Sequence, residues 1–424
     1  MNASEAIALV RFAIGLVVIG AAFLAVRRCR EQAAEDGLWR RLLESRLHYS
    51  LAGVVAGMTA WPDLQQAFAE SAAVALAFFA GWCGWVVGMG LDLRSLRRTA
   101  PALLLLEAVQ VAMVVAPVLI VTPLVGRLVG PGHGPLQGPA TLVLAGICAV
   151  GVPLRRRDEG GMPGKIGRSG WEPSVSAWVG TLLIGLGSAR LQSVNFAVAL
   201  PFLPDSRSLP VDSLAAAGVC TLLVGAITGL VIDLVTRGAE PSALLFIAAG
   251  GLAFGAGLAA VLGLEPLWVG LVAGGWVINA TLLRREIIEV AEDVHPTMRI
   301  GLFFAAGWVL GLGIAERGVD PLVALWVFAV IVGLRPVAMV AEIRLVQRLL
   351  HVPAVKRARQ RDWFGPGQED LALVAAVGLG ISWDDAAGVA TVLGALAAVC
   401  VLKLFRGPVG RRPQARTQDD GPTP

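Results

Sequence analysis

Stretches of about 20 consecutive apolar residues recur along almost the whole chain, and no other feature limits its folding so severely. A run of that length, wound as a helix, matches the hydrocarbon thickness of a bilayer, where only helices or closed barrels satisfy the backbone. The runs are continuous and lack the in–out alternation of barrel strands, so the spanning elements are helices. With 56% hydrophobic and 16% charged residues over 424 positions, the chain is too apolar for a water-soluble globule. The expected fold class is an all-α polytopic membrane protein with lipid as its solvent.

About 13 spans can be marked out, near 6–26, 47–61, 68–91, 101–125, 139–154, 172–189, 212–236, 241–263, 266–283, 298–316, 320–343, 369–383 and 386–405. Charge orients them. The loops after the first, third, fifth, ninth and eleventh spans carry the basic clusters Arg27/Arg28/Arg30/Arg40/Arg41/Arg46, Arg94/Arg97/Arg98, Arg155/Arg156/Arg157/Lys165/Arg168, Arg284/Arg285/Arg299 and Lys356/Arg357/Arg359/Arg361. The alternate loops, such as 61–70 and 263–266, are short and nearly without Lys or Arg. Basic loops stay cytoplasmic, so the N-terminus is expected outside and the C-terminus in the cytoplasm, with a bacterial inner membrane as the expected location. Residues 1–405 form the membrane domain in this reading, and the Pro-, Arg- and Gly-rich tail 406–424 is expected to be disordered.

Several function classes drop out. The formal charge of +4 is spread over these loops, which topology explains better than a nucleic-acid surface does. Neither GxGxxG nor GxxxxGK[ST] occurs, so no nucleotide site is expected and any transport draws its energy from a gradient. Cys29, Cys83, Cys148, Cys220 and Cys400 lie in or beside apolar runs without CxxC spacing or clustered His, and read as packing residues; neither a metal site nor a cofactor is expected. The first span resembles a signal peptide in hydropathy, but its positive charges follow it, so it reads as a retained span. Glycines recur four apart at Gly53/Gly57, Gly84/Gly88, Gly225/Gly229, Gly251/Gly255, Gly270/Gly274 and Gly307/Gly311. Such pairs let helix backbones approach closely, and here they read as packing within one bundle more than as a dimer motif.

Three segments resemble one family. FFAGWCGWVVGMGLDLRSLRR (78–98) is similar to a glycine-rich span ending in G-[LM]-x-x-[DE]-L-x-x-L-[RK]-R, LGLEPLWVGLVAGGWVINATLLRRE (262–286) to L-G-x-S-P-L-x-G-A-F-x-A-G with a following R-x-E, and Leu302-Phe303-Phe304 with Gly307 to L-F-F-x-x-x-G. Together, in this order, they resemble the monovalent cation/proton antiporter superfamily, the membrane domain of sodium/hydrogen exchangers. The resemblance implies two inverted halves, a core bundle moving against a dimerisation scaffold, a homodimer, and broken helices crossing near the midplane. Candidate breaks are Gly151/Pro153 in span five and Gly365/Pro366/Gly367 before span twelve. Pro153 reads equally well as a helix terminus.

The chain departs from that family where the ion binds. Members carry an Asp in the span after the first broken helix; the matching stretch here is WEPSVSAWVGTLL, with Val175/Ser176 or Ser174/Val175 at the family pair and no carboxylate. Ser174 and Ser176 offer hydroxyls to a cation but no negative charge. Glu172 reads as a solvated helix-start residue. Glu107, in span four, is an intramembrane carboxylate and hence a candidate proton carrier, with a near-interface carboxylate beside Gln110 as its ordinary reading. Arg335 matches a position where members carry Lys or Arg, and Glu369 and Asp370 fall on the family's acidic G-G-E-F-A-L-V pattern. Arg335 and Asp370 read either as a core charge pair or as part of the ion path. Glu342, Arg344 and Arg348 read as interfacial charges. Two function classes follow: a transporter exchanging a monovalent cation such as sodium or potassium for protons, and a transporter-fold protein without coupled exchange.

Overall fold

The computed structural model describes residues 47–59, 62–98, 101–129, 138–150, 175–192, 214–334, 337, 369–382 and 386–405. Among them there is no strand, and 92% are helical. In chain order the helices are α1 (Leu47–Thr59), α2 (Pro62–Met89), α3 (Leu93–Arg98), α4 (Pro101–Val129), α5 (Pro139–Val150), α6 (Val175–Gln192) and α7 (Leu214–Thr236). They continue with α8 (Leu244–Val261), α9 (Pro266–Ala280), α10 (Arg284–Arg317), α11 (Pro321–Ala329), a π-helical turn (Val330–Leu334), α12 (Glu369–Ser382) and α13 (Ala386–Phe405). The first expected span lies outside the described residues. Among the described residues, three helical stretches are long and apolar enough to cross a membrane, Gly218–Thr236, Leu244–Val261 and Arg284–Arg317.

Local chemistry sets the boundaries. α2, α4, α5, α9 and α11 each begin with proline, whose fixed φ and missing N–H suit the first helical position. Gly138, Gly263 and Gly318 take positive φ of 67°, 64° and 76°, a region open to glycine at little cost, and each stands at a chain reversal or helix end. Asp320 caps α11, its carboxylate accepting from the backbone N–H groups of Leu322 (2.9 Å) and Val323 (3.3 Å).

Two helix starts differ most from the expectation: α2 begins at Pro62, against 68, and α10 far ahead of its expected start. The tenth span was placed at 298–316, but α10 begins at Arg284 and runs for 34 residues. The added stretch RREIIEVAEDVHPT is amphipathic, so a search for apolar windows passes over it. Ile287 and Ala291 are buried on one face, while the Arg285 guanidinium meets Glu289 one turn on at 2.8 Å on the other. The helix continues through Pro296.

All six glycine pairs singled out above lie against neighbouring helices of the same chain. Gly53 faces Phe304 and Trp308 of α10, and Gly57 faces Trp308 and Leu312; reciprocally, Gly307 lies on Ser50 and Gly311 on Val54 of α1. The second seam is built in the same way. Gly84 and Gly88 of α2 face Leu267 and Leu271 of α9, and Gly270 and Gly274 lie on Gly81 and Trp85. At each of these eight glycines a Cβ would collide with a backbone carbonyl oxygen of the partner helix, so only glycine permits the approach. α7 sits on the other side of α9, with Gly225 against Val272 and Gly229 against Trp276, and α8 lays Gly251 and Gly255 on Ile232 and Thr228 of α7.

Residue numbers rise together across both seams, so α1 runs parallel to α10 and α2 parallel to α9. Only two residues separate α1 from α2 and three separate α9 from α10, at about 3.5 Å of reach each. Neither link can carry the chain back along a helix, so α1 and α2 are antiparallel, as are α9 and α10. The helices of the second group therefore run opposite to their counterparts in the first: α9 against α1, and α10 against α2. The largest buried apolar cluster joins α4, α5, α6, α11, α12 and α13 to one face of α2 and α10 through residues such as Val118, Cys148, Ile184, Phe303, Val327, Leu373 and Ala395.

Candidate functional site

Four of the candidate site residues lie in described helices, and those helices form one group. α5 packs on α4, α6 and α12, and α6 on α4 and α12; the π-helical turn Val330–Leu334 touches α4 and α5. Glu107 lies in the second turn of α4, Ser176 is the second residue of α6, and Glu369 and Asp370 open α12, where the helix N-terminus favours a carboxylate. The structure thus brings together the helices that carry these four candidates. Ser174, Arg335, Gly151, Pro153, Gly365, Pro366 and Gly367 lie outside the described residues, and with Arg335 goes its pairing with Asp370. α5 closes at Val150, next to Gly151, and α12 opens just after Gly367. The π-helical turn, which leads directly to Arg335, has no counterpart in the sequence reading; such turns are rare and frequent at functional sites.

A second polar centre lies where α2 and α9 end, and it unites two of the segments that carried the family resemblance. The Asn279 amide donates to the carbonyl oxygens of Leu91 (2.8 Å) and Gly275 (2.7 Å), and its own oxygen accepts from the Leu93 N–H at 3.0 Å. Beside it Asp92 accepts from the Arg94 N–H at 3.1 Å, as the cap of α3, and its other oxygen holds Arg284 Nη2 at 2.6 Å. Asp92 is largely buried and the Arg284 side chain one-third exposed, so the pair sits at the rim of the bundle. Chemically this is a clamp: it fixes the ends of two parallel helices and the start of a third. Each residue is visible in the sequence, but nothing local signals that partners nearly half the chain apart will meet.

A third polar feature is a carboxylate inside α7. Asp233 is 2% exposed; its Oδ2 meets Arg237 at 2.8 Å, and Oδ1 is buried with no hydrogen-bond partner. The Asp-to-Arg spacing of four was the available signal. Between the two helix groups, the indole N–H of Trp268 in α9 donates to the Thr181 carbonyl of α6 at 3.0 Å.

No protein-family model matches the chain, and no curated protein matches it.

Proposed function

We propose that this chain is a secondary transporter that exchanges a monovalent cation, sodium or potassium, for protons by alternating access, with the antiporter-like fold of about 13 spans and two inverted halves. The observation that carries the reading is the paired seam: α1 on α10 and α2 on α9, built from the same glycine spacing, with counterpart helices in opposite directions. Exchanging α1 with α9 and α2 with α10 maps one seam onto the other, which is the relation an inverted repeat generates. Lipid as solvent is supported by the uncovered faces of the candidate spans, where Leu222, Leu223, Phe246 and Phe254 are more than half exposed. In this reading α1, α2 and α7–α10 form the scaffold and homodimer contact, and α4–α6 with α11–α13 form the moving core. Ser174, Ser176, Glu369 and Asp370 line the ion path, with Glu107 as the proton carrier, because a serine does not ionise in the working range. The N-terminus lies outside and the C-terminus in the cytoplasm of a bacterial inner membrane.

The test is dissipation of a pH gradient in vesicles holding the purified protein, on addition of sodium, potassium or lithium. Wild type is expected to exceed empty vesicles with at least one cation, and Glu107→Gln to abolish the signal without loss of folded protein. Normal exchange by Glu107→Gln with an unchanged pH profile would return the proton role to Asp370. Asp370→Asn is expected instead to lower stability, by about 3–5 kcal/mol if its pair with Arg335 is fully buried.

A second reading is a transporter-fold protein without coupled exchange, and one observation favours it: α6 opens on Val175 and Ser176, with no carboxylate at the position where the family binds its ion. No exchange with any cation would decide for it.

A further inference from the structure

The two sides of α9 are built on different principles. Toward α2, glycine lies on backbone at four places, and no sliding is possible without collision between main chains. Toward α6, beside the apolar packing of Leu267 and Ile184 in the shared core, the one hydrogen bond described is made by a side chain. The Trp268 indole lies over Gly185, where a single added methyl group would collide with the ring. Its N–H donates to the Thr181 carbonyl oxygen at 3.0 Å in a partly buried setting. A helix carbonyl has a second lone pair, so this bond adds to the helix instead of disrupting it. The Thr181 side chain is fully buried, and its hydroxyl has no hydrogen-bond partner. A buried hydroxyl without a partner is uncommon and carries a cost, so this contact is not fully optimised in the arrangement seen.

We infer that Trp268 is a detachable latch: seated in the Gly185 notch with its N–H on Thr181, it holds α6 in one of two positions against α9. The latch rests on the transport reading for its purpose, because α6 opens on Val175 and Ser176 at the proposed ion path, but its geometry stands apart from that reading. One ring in one notch and one hydrogen bond can part and reform, whereas the glycine seam toward α2 keeps α9 fixed there. The asymmetry makes α9 a stationary rail and α6 the element that moves.

The test is a distance distribution between spin labels at Leu182→Cys on α6 and Phe254→Cys on α8, both exposed positions, with the five native cysteines replaced. Wild type is expected to give one dominant distance. Trp268→Phe keeps the ring and removes only the donor, and it is expected to raise a second population about fivefold, the worth of one net hydrogen bond. Gly185→Ala fills the notch and is expected to raise it further. Trp276→Phe, on the same helix but packed over Gly229 of α7, is the control and should leave the distribution unchanged. Unchanged distributions in Trp268→Phe, or an equal change in Trp276→Phe, overturn the latch. Should Gly185→Ala fail to fold, Trp268→Phe alone decides. Absence of cation/proton exchange in the wild type removes the transport reading and leaves the distance result to stand by itself.

Discussion

The α1/α10 and α2/α9 seams share glycine spacing, parallel direction and backbone-on-backbone contact, yet they end differently. Past the end of α2, Asp92 caps α3 and also grips Arg284, the first residue of α10, while Asn279 ties the end of α9 to Leu91 and Leu93. Past the end of α10, Asp320 occupies the matching place, third after the last helical residue, and caps α11; its N–H donates to the Ala386 carbonyl at the start of α13, at 3.3 Å. The seams are fixed by sterics that tolerate no side chain, so they are alike. Their ends are fixed by whichever polar groups lie near, so they differ: one aspartate closes back on α9 and α10, the other leads into α11 and α13.

The largest effect should come from the seams themselves. Gly84→Leu and Gly307→Leu each force two backbones apart, and each is expected to cost about 3 kcal/mol or more, read as loss of monodisperse folded protein. A seam that accepts leucine with unchanged thermal stability would break the equivalence of the two. Next come the two aspartates. Asp320→Ala removes a helix cap, worth about 1 kcal/mol, whereas Asp92→Ala removes a cap together with a charged hydrogen bond and is expected to cost about 2 kcal/mol. Equal losses in denaturant unfolding would mean that the ion pair at Asp92 adds nothing. A double-mutant cycle of Asp92→Asn with Arg284→Gln isolates that pair; with Arg284 one-third exposed, a coupling of about 0.5–1 kcal/mol is expected. The smallest effect belongs to Arg285→Ala. Its partner Glu289 is exposed and one turn away on the same helix, where solvent screens the pair, so denaturant unfolding is expected to show no resolvable change.

The helices were legible wherever apolarity or proline marked them. From the second span onward each expected span corresponds to a described helix, and the proline-started helices begin within a few residues of their expected positions, α2 aside. The start of α10 was not legible from apolar windows, because Arg284 to Thr297 is held by a half-buried face and a helical ion pair instead of by lipid. The glycine pairs announced close packing, but spacing alone does not say which helix a glycine meets, so the two seams were invisible. The same holds for Asp92, Asn279 and Arg284, whose chemistry depends on chain segments far apart in sequence. Asp233 was passed over because one carboxylate at the end of a long apolar run reads as a helix terminus. At the proposed ion path the opposite situation holds. Glu107 was singled out as an intramembrane carboxylate and Ser176, Glu369 and Asp370 through the family resemblance, and the described backbone brings their helices into one bundle.

The pairing of α1 with α10 and α2 with α9 also constrains how the chain is made. Synthesis runs from the N-terminus, so α1 and α2 emerge with their glycine faces bare and must wait until residues up to Gly311 have been added before both grooves are filled. Throughout that interval neither glycine face has its final partner, and a nascent chain halted before Pro266 lacks the partners of both. The two seams of this protein therefore close from the inner pair outward, and α1 and α2 reach their seam contacts only after α9 and α10 have been made.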